Sequence, residues 1–98
     1  MKLKVNKMLE LITIYNIGDD FYLGKVVVNA GHISTIREHI EYKKLLNEGK
    51  IDIGLDSRVT FSEVVMSTNS GFDKFIVIGS PNEITEKLKP NRRQILRD

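Results

Sequence analysis

His32 and His39 are the only imidazoles in the chain, and they stand seven residues apart. On a helix that spacing separates them by two turns, too far for one metal ion, and no His-Glu-x-x-His run is present. They read as ordinary surface or boundary histidines. A metal site or small active site would need a pocket in which one of them meets an Asp or Glu. Asp19 and Asp20 are adjacent carboxylates beside Gly18. Neighbouring side chains in a turn diverge, so the pair is poorly placed for acid–base work, and no calcium-loop spacing surrounds it. Turn formation is the simpler role. The chain has no Walker A segment, no Gly-x-Gly-x-x-Gly and no Gly-x-Ser-x-Gly. No serine lies in a motif that would activate its hydroxyl, and Ser80 reads as a helix cap. The absence of cysteine removes disulfides and thiolate metal sites. The expectation is a protein without catalytic activity, cofactor or metal, which works by binding a partner.

Cations are the remaining chemistry. Lys25 follows a glycine at the start of a predicted strand, and Arg58 lies between a polar turn and a strand. Lys87, Lys89, Arg92, Arg93 and Arg97 gather toward the C-terminus. Side chains of this kind neutralise phosphates without reading base sequence. The same basic tail also suits an acidic protein surface, or simple solvation. A formal net charge of +2 permits nucleic acid without requiring it, so the arrangement of charges matters more than their sum.

The elements that must position these residues follow from patterning. Ninety-eight residues, 41% hydrophobic and 29% charged, supply one core. Leu9 to Asn16 reads as a strand with apolar residues on both faces, and Asn16 to Asp20 as a turn. Phe21 to Leu23 reads as extended, with a possible bulge at Gly24, and Lys25 to Asn29 as a strand built on Val26, Val27 and Val28. Ile33, Ile36 and Ile40 recur at helical spacing, which predicts a helix from Ile33 to Asn47 stopped by Gly49. Ile51 and Ile53 alternate as in a short strand. Val59 to Val65 and Phe75 to Ile78 read as a hairpin around Thr68-Asn69-Ser70-Gly71, with a register slip near Ser62 and Glu63. Ser80-Pro81-Asn82-Glu83 is a capping box with proline at the first helical position, opening a helix through Leu88 that Pro90 ends. The predicted class is α+β: a small, mostly antiparallel sheet covered by one main helix, with a C-terminal helix. It is divided into an N-terminal extension (1–9), the domain (10–89) and a basic tail (90–98). Glu10 and Thr13 break the apolar run from Met8 to Tyr15, no cleavage site follows, and no stretch is long enough to cross a bilayer. A soluble cytoplasmic protein is expected.

The order of these pieces resembles the RemA-like family, the extracellular matrix regulators of Bacillus-type bacteria, from about Leu11 to Leu88. Ile14-Tyr15-Asn16-Ile17-Gly18 resembles the family's opening strand, and Gly24-Lys25-Val26-Val27-Val28 its basic step before branched aliphatics. Ile36 to Lys50 is similar to its central helix, and Gly49-Lys50-Ile51-Asp52 to its Gly-x-aliphatic-aliphatic-Asp step. Val64-Val65-Met66 with Phe75-Ile76-Val77-Ile78 resembles its hairpin, and Pro81-Asn82-Glu83-Ile84 its last helix. The resemblance implies an oligomeric DNA-binding transcriptional regulator whose subunits present arginines to the DNA backbone. On this chain those contacts fall to Lys25, Arg58, Arg92 and Arg93. The family's Gly-Arg-Arg-x-Arg turn reads Gly54-Leu55-Asp56-Ser57-Arg58 here, with a carboxylate that repels phosphate, and Lys25 stands where the family has arginine. The alternative is a protein-interaction or assembly module that has lost DNA binding.

Overall fold

Gly18 sets the first hairpin. The structure, a computed structural model, describes residues 7–89. In it β1 (Met8–Ile17) and β2 (Asp20–Asn29) pair antiparallel along their whole length, from Met8 opposite Asn29 to Ile17 opposite Asp20. The loop between them is Gly18-Asp19. Gly18 has φ +63° and Asp19 does not share the positive φ, the arrangement of a type II′ turn. β1 begins at Met8, one residue before the strand expected from Leu9. The register runs through Gly24 without the expected bulge. A Cβ at Gly24 would stand 3.3 Å from Tyr15 Cε1 and 3.5 Å from Thr13 Cγ2, so the Tyr15 ring would have to shift slightly to admit it.

A 3-10 turn (Ala30–His32) follows, its first turn held by the Asn29 side chain, which accepts from Gly31 N–H at 2.9 Å. The predicted helix over Ile33 to Asn47 then divides. Ile33–Glu38 forms a strand, β3, and only Ile40–Asn47 is helical, α1. β3 pairs antiparallel with β4 (Phe61–Thr68), with Ile33 opposite Met66 and Thr35 opposite Val65. The residue skipped between these pairs resets the alternation, so Ile33 and Ile36 face the same core although three residues apart. A bulged strand thereby reproduces the spacing of a helical turn. Gly49 does stop α1, at φ +77°. Lys50 N–H donates to the Leu45 carbonyl and Gly49 N–H to that of Leu46, a Schellman closure.

β4 and β5 (Gly71–Ile78) form the second hairpin around Asn69-Ser70, in unbroken register from Phe61 opposite Ile78 to Thr68 opposite Gly71. No slip occurs at Ser62 and Glu63 in that ladder. The irregular apolar pattern there has another cause: Phe61 and Val64 are buried on opposite faces, and Ser62 is buried because its hydroxyl donates to the Gly79 carbonyl at 2.7 Å. Ile51 to Ile53 is loop, not strand, with Ile51 buried beside α1. α2 (Pro81–Leu88) opens with the predicted capping box: Ser80 Oγ accepts from Glu83 N–H, and Glu83 Oε1 accepts from Ser80 N–H at 2.7 Å. Pro90 and the tail cations Arg92, Arg93 and Arg97 lie outside the described residues.

The result is an α+β domain with a five-stranded antiparallel sheet ordered β2-β1-β5-β4-β3. The two expected helices are both eight residues long, and each packs on one face. α2 brings Ile84 to Leu9, Leu11, Val28, Val64, Met66 and Val77 on one face. α1 brings Leu46 to Ile14, Ile51 and Phe61 on the other. The sheet must curl, because the 3-10 turn joins its two edge strands. The edges of a flat five-stranded sheet lie about 19 Å apart, whereas the four Cα steps from Asn29 to Ile33 reach at most about 14 Å. Curling closes the α2 side into the concave interior and turns the α1 side outward.

Candidate functional site: the outer face of the first hairpin

Of the cations singled out by sequence, Lys25 and Arg58 occupy separate parts of the fold. Lys25 sits midway along β2, on the sheet edge. Arg58 lies in the loop before β4, and β1 and β5 stand between those two strands. Each of these two already has a carboxylate. Lys25 Nζ is 2.9 Å from Glu10 Oε2 across the β1–β2 ladder, and that hydrogen bond, reinforced by the charge of Glu10, raises the Lys25 pKa. Arg58 grips Asp56 through Nε to Oδ1 and Nη2 to Oδ2, both at 3.1 Å, while its backbone N–H donates to Oδ1 at 2.8 Å. Asp56 is consequently held below the usual carboxylate range, chiefly by the Arg58 side chain and then by its N–H, and the Arg58 pKa is raised in return. The carboxylate expected to repel phosphate thus lies against the arginine expected to bind it. Arg92 and Arg93 lie outside the described residues.

Other cations are tied into the fold in a similar way. Arg37 and Lys74 share Glu63, Lys50 pairs with Glu48, and Lys89 with Glu86. Lys43 Nζ donates to the carbonyls of Ser57 at 2.6 Å and Val59 at 2.9 Å, fastening the loop before β4 to α1. Lys7 Nζ donates to the carbonyls of Lys87 and Lys89, tying the start of the chain to the end of α2.

The histidines do not meet. His32 ends the 3-10 turn and borders a shallow cleft with Ser67, Thr68 and Asn69. His39 precedes α1 with its ring edge-on to Tyr42, centroids 4.6 Å apart, and its Nε2 is buried without a hydrogen-bond partner among the described residues. Among those residues no three His, Cys, Asp or Glu side chains come together as a metal site. Asp19 lies in the first hairpin's turn, Asp20 opens β2, and both line an open cleft with Lys50 and Asp52.

What the sequence reading missed is the convex side of the β1–β2 hairpin. Cross-strand partners share a face, so Met8, Glu10 and Ile12 of β1 project with Leu23, Lys25 and Val27 of β2. α1 packs at Ile14 and Phe61 and leaves this stretch open. Met8 is 57% exposed, Val27 54%, Leu23 43% and Ile12 39%. Four large apolar side chains therefore surround one neutralised ion pair on an edge strand. The signal was present in Val26-Val27-Val28: three consecutive valines in a strand cannot all face inward, and a sheet with one wet face would put a polar residue second. No family model, curated protein or solved structure matches the chain. Among the described residues, no helix is long and apolar enough to cross a membrane.

Proposed function

We propose that this protein is an assembly module that acts through self-association, with the outer face of the β1–β2 hairpin as its interface. One observation carries the reading: the apolar side chains of Met8, Ile12, Leu23 and Val27 are clustered and exposed on a hairpin face that no element among the described residues covers. Contiguous apolar patches on soluble domains mark interaction surfaces, and a protein of this size gains stability by burying one. A cytoplasmic location goes with this reading. Sedimentation equilibrium tests it. The expected result is a mass above the 11.2 kDa of one chain, falling to 11.2 kDa in Val27→Asp, whose solvent-facing site leaves the fold intact. A wild-type chain that stays at 11.2 kDa up to millimolar concentration rejects the reading.

A second reading is an oligomeric DNA-binding transcriptional regulator of the RemA-like kind, contacting the phosphate backbone through Lys25, Arg58, Arg92 and Arg93. It draws on the high exposure of the two described cations: the Lys25 side chain is 64% exposed and that of Arg58 89%. Phosphate would have to compete with Glu10 and Asp56 for them, and only an oligomer multiplies such weak contacts enough to matter. A mobility-shift titration of duplex DNA at low salt is decisive. A complex at micromolar protein that dissociates steeply with added salt supports this reading, and no complex under those conditions removes it.

A further inference from the structure

We infer that two copies join β2 to β2, antiparallel about a two-fold axis, so that their sheets fuse into one continuous sheet; this rests on the self-association proposed above and specifies how it occurs.

Among the described residues, no strand pairs with the outer edge of β2. β2 has ten residues, contains no proline and keeps an unbroken register through Gly24. Natural edge strands avoid pairing with other chains by being short, bulged, covered, or armed with an unpaired charge. Lys25 is the cation within β2, and Glu10 of the same chain already holds it. The charge that would repel a second copy is neutralised before that copy arrives.

Backbone geometry and side-chain placement then coincide. In a hairpin closed by a two-residue loop, the flanking pair Ile17 and Asp20 exchange hydrogen bonds with each other. Alternate residues from there, Phe21, Leu23, Lys25 and Val27, therefore aim their N–H and C=O groups at the open edge. Their side chains lie on the outer face. Antiparallel partners share a face, so pairing two β2 edges joins Leu23 and Val27 of both copies, with Met8 and Ile12 behind them, into a single apolar band.

Size decides what can occupy this surface. The four exposed apolar side chains present on the order of 300 Å², large enough to mark a contact. That is well short of the roughly 800 Å² per partner in a standard interface. The occupant must therefore engage the strand edge as well as the face. A second copy supplies a ten-residue edge, a matching apolar patch and a balanced Lys25–Glu10 pair, and a two-fold contact uses each element twice.

Amide hydrogen exchange on the wild-type chain, at dilute and at associating concentrations, tests the pairing alongside sedimentation. The expected result is a species of twice the chain mass. In it the amides of Leu23, Lys25 and Val27 exchange at least about tenfold more slowly than in the dilute sample, while those of Tyr22, Gly24 and Val26, already bonded to β1, change little. A dimer without this alternating, concentration-dependent protection overturns edge pairing and leaves self-association standing. Monomer at every concentration overturns both. Protection that appears only when an extended peptide is added assigns the edge to another chain and overturns the second copy as its occupant.

Discussion

Arg58 shows how a residue chosen for its charge can be committed elsewhere. Its guanidinium takes both oxygens of Asp56 two residues earlier, and a fork held by a local carboxylate is a poor free phosphate ligand. The pair sets a pH window. Asp56 titrates below its ordinary value of 3.8, so whatever stability the pair adds is present above that value and lost as pH falls through the lower folded one. Both groups are exposed, and the contribution is correspondingly screened. In a carbon-detected NMR titration the Asp56 carboxyl should show a midpoint below 3.8 in the wild type and move upward in Arg58→Gln; identical midpoints would mean that the pair does not persist in solution. Ser62 is the converse case, a polar group the fold needs. Its hydroxyl supplies the hydrogen bond for the part-buried Gly79 carbonyl. Ser62→Ala should cost about 1–2 kcal/mol in urea unfolding, the cost of leaving a part-buried acceptor unmet. A change under about 0.5 kcal/mol would show that water reaches Gly79.

At the scale of elements, local chemistry was legible wherever the chain closes on itself within a few residues. The capping box at Ser80 and Glu83, the Gly49 stop and both hairpin turns form as their residues predict, because their partners lie three to five positions away. Ser80→Ala should lower stability by about 1 kcal/mol, read as a shift in the urea midpoint with no change in slope. An unchanged midpoint would put the stability of α2 in Ile84 and Leu88 alone. Illegible elements depend on partners far along the chain. Ile33 and Ile36 look helical by spacing, and only the register of β4, about thirty residues later, converts that spacing into a bulged strand. Ile51 and Ile53 alternate like a strand but lie where no sheet edge receives them. Gly24 reads as an interruption until Tyr15, paired two positions along the ladder, is seen to lie over it and to stack on Tyr22 with ring centroids 5.7 Å apart. Gly24→Val should therefore cost about 1–3 kcal/mol by displacing that ring. A neutral result would show that the tyrosine pair moves aside freely.

For the whole molecule, the sequence reveals class and composition but not which surface remains open. The apolar residues on both faces of β1 indicate burial on both sides. They cannot reveal that α1 is too short to cover the hairpin's outer face. That single deficit separates the two functional readings through their response to salt. Burial of Met8, Ile12, Leu23 and Val27 in an interface would be driven by the removal of apolar surface from water, which salt leaves unchanged or strengthens. Phosphate contacts by Lys25, Arg58 and the tail arginines would be driven by counterion release and would weaken steeply as salt rises. Sedimentation at about 50 mM and about 500 mM salt, spanning Debye lengths of roughly 14 Å and 4 Å, should therefore leave the dimer fraction constant or increased if the apolar hairpin assembles the molecule. A dimer that dissociates at the higher salt would place the association in ion pairs such as Lys25–Glu10 exchanged between copies. The open apolar face would then be an incidental property of a short helix and not the basis of assembly.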